Sequence, residues 1–267
     1  MADSDDRRGP ASYSLAPVSV RTYLLQLAER NRIDTSERFV CYRLAGDHPF
    51  SDIARSLECE VFQEFFGNDP HVMDDAYKDY ERASEFFMAV DLRRGDPVGV
   101  LRVINQSPAG LKSLNDIASP PLAIHPADVM AYHGIEDLAN CWDVGTLAVA
   151  RGYRGGEGKL ISTMLYGHFH AEALRRGIDH AVAILDAHAY RQLTESLAIP
   201  FVPLAGSAPF SYLGSESSRA GYLRMPDVVP TVEAFLNGLK ESQRRLIEPL
   251  VARVIYARGL ADLIHVS

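Results

Sequence analysis

The chain has little cysteine and no long apolar run, and each shortage excludes a class of protein. Three cysteines occur in 267 residues. Cys41, Cys59 and Cys141 lie far apart and are odd in number, so they form neither a disulfide framework nor a metal-ligand spacing. Free thiols of this kind suit a reducing, cytoplasmic setting. No apolar stretch approaches the roughly 18 residues of a membrane-spanning helix. The opening segment MADSDDRRGPASYS lacks the apolar core of a secretory signal, and residues 1–17 read as a disordered tail. A basic excess is missing too. The formal net charge of −8 argues against nucleic acid as the main partner, but leaves room for a local basic patch that holds a nucleotide or meets an acidic carrier protein.

What is present is ordinary globular composition, 47% hydrophobic and 23% charged. Apolar spacing predicts helices over 18–30, 52–66 and 74–82. Alternation predicts a strand over 38–44 (RFVCYRL), and the turn signal RRGDP between two strand candidates, 86–92 (FFMAVDL) and 98–104 (VGVLRVI), predicts a hairpin. Residues 105–141 show little periodicity. After them a strand over 142–149 runs into a glycine-rich turn and a helix over 160–176. A strand over 180–185, a short helix over 190–197, weak strands at 201–204 and 221–225, and one helix over 231–260 complete the order. This pattern is an α/β (α+β) mixed sheet flanked by helices, with a main domain over 18–228 and a helical extension over 229–267.

The most informative stretch is WDVGTLAVARGYRGGEGKLISTML. A strand–glycine turn–helix sequence gathers backbone N–H groups at the positive end of a helix. Arg151, Arg154 and Lys159 add full charges where a pyrophosphate would sit. The alternative is a surface turn with solvated arginines. A Walker loop is excluded because Leu160 follows Gly158-Lys159, and the spacing does not match a dinucleotide fingerprint.

The strand ending Leu147-Ala148-Val149, followed by YRGGEGK and a long helix, resembles the acyl-CoA-binding segment of GNAT acyltransferases. The resemblance implies a GNAT-like fold in which these three residues flank a pantetheine arm. Arg154, Gly155, Gly156, Gly158 and Lys159 would then hold its pyrophosphate. Glu157 and Lys159 stand where the family pattern has its two glycine positions after the arginine. The order ECEVF (58–62), DAYKDY (75–80), VGVLRVI (98–104), GLKSLND (110–116) and WDVGTLAV (142–149) resembles the branch holding acyl-homoserine-lactone synthases and long-chain N-acyl amino acid synthases. That branch takes acyl groups from acyl carrier protein or CoA. Lactone synthases usually carry Ser-Arg where this chain has Gly145-Thr146, so the acceptor implied is an amino acid or similar small amine rather than S-adenosylmethionine.

Aminolysis of a thioester needs a base and an oxyanion stabiliser. Asp143, at the head of the strand, is the first choice for the base, against a local capping role. Glu60 is second, although Glu58 and Glu60 point to different faces of one helix and either can be plain helix surface. Arg102, amid apolar neighbours, needs an anionic partner: an acceptor carboxylate, or Asp143 or Glu60. His168 and His170 diverge on a helix and make no metal pair, so no metal and no tightly bound cofactor is expected. Phe65, Phe66, Phe86, Phe87 and Met88 are candidates for an acyl pocket or for ordinary core. An acetyl-CoA-dependent acetyltransferase and a non-catalytic acyl-thioester-binding protein are the competing functions.

Overall fold

The computed structural model describes residues 12–31, 37–257 and 263–266. Residues 1–11 of the expected tail and 258–260 of the expected last helix therefore lie outside the described residues.

In chain order, α1 (Pro17–Asn31) precedes β1 (Phe39–Ala45), α2 (Ser51–Phe66) and α3 (Pro70–Tyr77). The hairpin of β2 (Ser84–Asp91) and β3 (Asp96–Ile104) follows. Two short helices, α4 (Lys112–Ile117) and α5 (Pro126–His133), lie in the stretch without periodicity. β4 (Cys141–Val149) leads into α6 (Gly156–Arg176), β5 (His180–Asp186) and α7 (Ala187–Arg191). Next come β6 (Val202–Pro203), β7 (Phe210–Tyr212), β8 (Ser215–Arg224), α8 (Val228–Gly238), α9 (Glu241–Tyr256) and β9 (Leu263–Val266).

The strands form one sheet in the order β6-β8-β5-β4-β3-β2-β1-β9, with β7 also on β8. Only β4–β5 and β1–β9 are parallel pairs among the described strands. Strand alternation divides the core into two layers. Phe86 and Met88 pack beneath α1 and α2 with Leu27, Ile53 and Leu57. Phe87 and Ala89 face α6 on the other side, with Trp142, Ile161 and Leu165. Trp142 is fully buried and donates from Nε1 to Asn105 Oδ1 at 2.9 Å, which fixes β4 against this second layer. No helix among the described residues is long and apolar enough to cross a membrane.

Five sequence expectations change. The acidic-Tyr helix expected over 74–82 starts earlier, at Pro70, because Asp69 caps it by accepting from the N–H groups of His71 and Val72, and it tightens into a 3₁₀ turn over Lys78–Ala83. The glycine turn is shorter than expected, since α6 already begins at Gly156. β8 runs from Ser215, longer than the strand expected at 221–225, and pairs with β7, which the sequence pattern did not reveal. The helix expected over 231–260 is two helices, because Gly238 ends α8 and Leu239–Lys240 are extended. β9 then adds a strand beside β1 within the segment expected to be purely helical.

Candidate functional site

β4 and β5 pair only from Cys141↔His180 to Val144↔Ala183. Beyond that point they part: β4 continues along β3 as far as Val149↔Gly99, and β5 continues along β8 to Asp186↔Ser218. The facing edges of residues 145–149 and 184–186 therefore have no strand partner in each other.

The parting coincides with a bulge. Arg102 pairs Thr146 and Val103 pairs Val144, so Gly145 is the extra residue on β4. Tyr77 Oη donates to the Gly145 carbonyl at 3.0 Å. A Cβ at Gly145 would lie 3.2 Å from the Tyr77 ring and 3.4 Å from Arg102 Cδ, so glycine is what lets this ring reach the strand.

The gap opens a cavity of about 140 Å³ that passes through the sheet. On the α2 side it meets Phe62, Phe66, Tyr77 and Tyr212; on the α6 side it meets Tyr166, His170 and Val254. Leu147 lines it from β4. Of the aromatic and Met candidates for an acyl pocket, only Phe66 lines this wall. Phe86, Phe87 and Met88 are buried core, and Phe65 is 58% exposed.

Asp143 is fully buried behind this wall rather than in it. It accepts from Ser113 N at 2.5 Å and Ser113 Oγ at 2.6 Å. Burial pushes its carboxyl up to about 6, against the lowering effect of the Ser113 hydrogen bonds.

Arg102 is also fully buried, and its partners differ from those expected. Nε and Nη2 bond Glu58 at 3.1 and 2.6 Å, Nη1 bonds Glu81 at 3.1 Å, and Nη2 also donates to Tyr13 Oη at 2.9 Å. Burial works against its charge, but these carboxylates outweigh burial and hold it protonated. With its donors so engaged, Arg102 anchors neither Asp143 nor Glu60. Glu60 is exposed on α2, whereas Glu58 is buried and also accepts from Thr146 Oγ1. Two residues along a helix is about 200° of rotation, so only one of the pair can face the sheet, and that one is Glu58.

A second cluster gathers Lys112 and Asp116, which lie in the GLKSLND piece, with Tyr212, which the sequence did not single out. Lys112 is 4% exposed, and its Nζ lies 2.5 Å from Asp116 Oδ2 and 2.6 Å from Tyr212 Oη. Tyr212 in turn donates to Asp116 at 2.5 Å, and the Lys112 ammonium stands 5.0 Å from the Tyr77 ring centre. The cluster therefore borders the cavity beside Ser113 and its partner Asp143. Lys112 falls in the stretch without periodicity, and Tyr212 in a three-residue strand 100 residues away; only folding brings them together.

At the other end of β4, Gly155 (φ +104°) turns the chain into α6, whose N-terminus has no side-chain cap. A Cβ on Gly158 would come within 2.8 Å of the Tyr153 carbonyl. Arg154 ties the turn to the strand by donating from Nε to the Val149 carbonyl at 3.1 Å. Its Nη1 pairs with Glu64 at 2.8 Å, while Nη2 is buried without a partner. Arg151 lies 3.6 Å from the same Glu64, and Glu157 pairs with Arg38 at 2.5 Å. Gly156 and Lys159 are exposed, and Ala148 is buried in the α2 layer.

No protein-family model and no curated protein matches this sequence. Among solved structures the chain is similar to FeeM, an N-acyl amino acid synthase from uncultured soil microbes. The TM-score is 0.53 at 16% identity, over 73% of this chain and 94% of that one. The fold is GNAT-like. Two further structures match with TM-scores below 0.5. One is the CoA-dependent acyl-homoserine lactone synthase BjaI with SAM and isopentyl-CoA, at 0.49 and 13% identity over 86% and 94% of the two chains. The other is the AHL synthase LasI, at 0.47 and 16% identity over 70% and 89%.

Proposed function

We propose that the chain is an N-acyltransferase that moves an acyl group from a CoA or carrier-protein thioester to the amine of an amino acid or similar small molecule. The observation that carries this reading is the apolar passage opened where β4 and β5 part, beside an unpaired strand edge that ends at an uncapped helix N-terminus. An extended pantetheine arm can pair along residues 145–149, its phosphates can meet the turn at Gly155–Gly156, and its acyl chain can fill the passage. Such a passage is far larger than an acetyl group needs, which sets the acetyltransferase reading behind this one. The reading also agrees with the activity in FeeM's name.

In this scheme Asp143, with its raised pKa, takes the amine proton by relay: Ser113 Oγ passes its own proton to the carboxylate and accepts that of the amine. The amine attacks the thioester carbon, the tetrahedral oxyanion collapses as the C–S bond breaks, and the leaving thiolate takes up the proton that Asp143 received. Thr146 and Gly145 flank the reacting carbonyl, and Tyr77 holds the bulge that positions them.

The non-catalytic binding reading draws on one fact: Ser113 covers both oxygens of Asp143. Mass spectrometry of lipid extracts from cells producing the parent or Asp143→Asn separates the two. New N-acyl products from the parent, lost in the variant, support transfer and the role of Asp143. Absence of such products from both, with acyl-CoA binding retained, would favour the binding reading.

A further inference from the structure

The turn that joins β6 to β7 is pinned to α5 by a histidine. His133 is the last residue of α5, and its Nε2 accepts from the Ala205 backbone N–H at 2.9 Å. Ala205 sits at φ +48°, in the left-handed region that a residue with a Cβ rarely adopts, so the bond holds a strained residue in place. The His133 ring lies flat on Tyr222 of β8, with ring centres 3.9 Å apart and planes 22° from parallel. Tyr222 Oη is in turn 2.7 Å from Nδ1 of His180 on β5.

These two histidine bonds answer a proton differently. A hydroxyl can donate or accept, so the His180–Tyr222 bond survives protonation of His180 with Tyr222 as acceptor. A backbone N–H only donates. His133 Nε2 must therefore be bare to accept it, and a protonated Nε2 would set donor against donor. The ring is half-buried, so protons reach it from solvent. The titratable groups facing it are Tyr132 on its own helix, Tyr222 on β8 and, beyond Tyr222, His180, which itself stands near Asp179 and Arg224. The Tyr222 face and the C-terminal end of α5 attract a cation, but neither gives Nε2–H an acceptor. Burial, and after it the charge of His180, lowers the pKa of the ring below its ordinary 6.5.

We propose that His133 is a pH-sensitive latch: neutral, it holds the turn at Leu204–Gly206 against α5, and protonated in mild acid it lets that turn go. Leu204 stays buried with Val129, Ile135 and Tyr222, so the release is a local opening and α5 keeps its place. The turn leads into β7, whose Tyr212 lines the cavity and bonds Lys112 and Asp116. The inference stands apart from the acyl-transfer reading and survives its failure. Its sign follows from the lowered pKa. The open turn leaves His133 near its ordinary 6.5, whereas the latched ring lies below that. The latch is therefore at full strength above about pH 6.5 and weakens as pH falls, by up to about tenfold per pH unit, until the latched ring itself takes the proton.

The test is amide hydrogen exchange of the full chain at about pH 7.5 and about pH 5.5, read as protection factors so that the intrinsic pH dependence of exchange cancels. Protection of the Ala205 amide is expected to fall severalfold, up to about tenfold, at the lower pH. Two variants remove the titrating nitrogen in different ways. His133→Gln keeps a side-chain acceptor that does not titrate in this range, and His133→Phe keeps the ring on Tyr222 with no acceptor. Both should lose the fall, and His133→Phe should show weak protection at both pH values. His180→Gln should leave the fall in place. Equal protection of Ala205 in the parent at the two pH values overturns the latch. A fall that persists in His133→Gln and His133→Phe, or one that disappears in His180→Gln alone, overturns it as well.

Discussion

Asp143 carries opposite consequences for stability and for turnover. Its folded pKa, about 6, lies above the ordinary value of 3.8, so its contribution to stability is complete below about pH 4 and is lost as pH rises through about 6. At neutral pH the ionised, buried carboxylate costs on the order of 3 kcal/mol relative to its protonated form. Asp143→Asn cannot ionise, so its unfolding free energy relative to the parent should grow by about that amount between pH 4 and pH 7, as read by denaturant titration. A difference that does not change with pH would remove the carboxylate's charge from the account. The parent's kcat/KM should rise with pH up to about 6 and then level, and Asp143→Asn should lose at least roughly a hundredfold in kcat. At Gly145 the constraint is steric: Gly145→Ala must displace the Tyr77 ring or Arg102 and should cost about 1–3 kcal/mol, seen as a lower Tm. The sequence made Asp143 visible through its place at the head of an alternating strand. It could not rank Glu58 over Glu60, because helix phase is set by what lies across it, and Arg102 lies 44 residues away on another strand.

At the scale of elements, the turn between β4 and α6 carries much of its own neutralisation. Glu64, at the end of α2, holds Arg154 and approaches Arg151, so under the proposed function a pyrophosphate at this turn would have to displace a carboxylate. Glu64→Gln should lower the KM for an acyl-CoA by on the order of threefold at low ionic strength, with the gain fading as salt is added. No change in KM, or a higher one, would mean that phosphates do not reach these arginines. The hairpin tip between β7 and β8 closes the cavity near the same helix end: Asn68 Nδ2 donates to the Leu213 carbonyl at 3.0 Å, and a Cβ on Gly214 would collide with the Phe66 carbonyl. Long elements such as α2, β2, β3 and α6 were legible because each carries many buried apolar positions, on one side of α2 and on both faces of β2 and β3. β7 and β9 were not, since strands of three and four residues carry too few positions to show alternation, and they are held by pairing to distant strands. The tip that completes the cavity was therefore the least visible part of it.

At the scale of the molecule, the segment after Met225 is part of the body that builds the site. α9 packs along α6, Val254 reaches the cavity, and β9 extends the sheet beside β1. Truncation after Leu239 should strip the buried face of α6, remove one wall of the passage and abolish cooperative thermal unfolding, as read by calorimetry. A truncated chain that melts at the parent's Tm would show that the segment is dispensable. The sheet itself is two panels, β9-β1-β2-β3-β4 and β5-β8 with β6 and β7, stitched by a seam of four residue pairs. Beyond that seam β4 and β5 no longer pair with each other. Under the proposed function, an acyl thioester lying in the opening would lengthen the seam from outside the chain and serve, for the duration of its stay, as a strand of the protein. Amides of residues 145–149 and 184–186 should then exchange with deuterated solvent more slowly in the bound state than in the free one, and this slowing should disappear when product leaves.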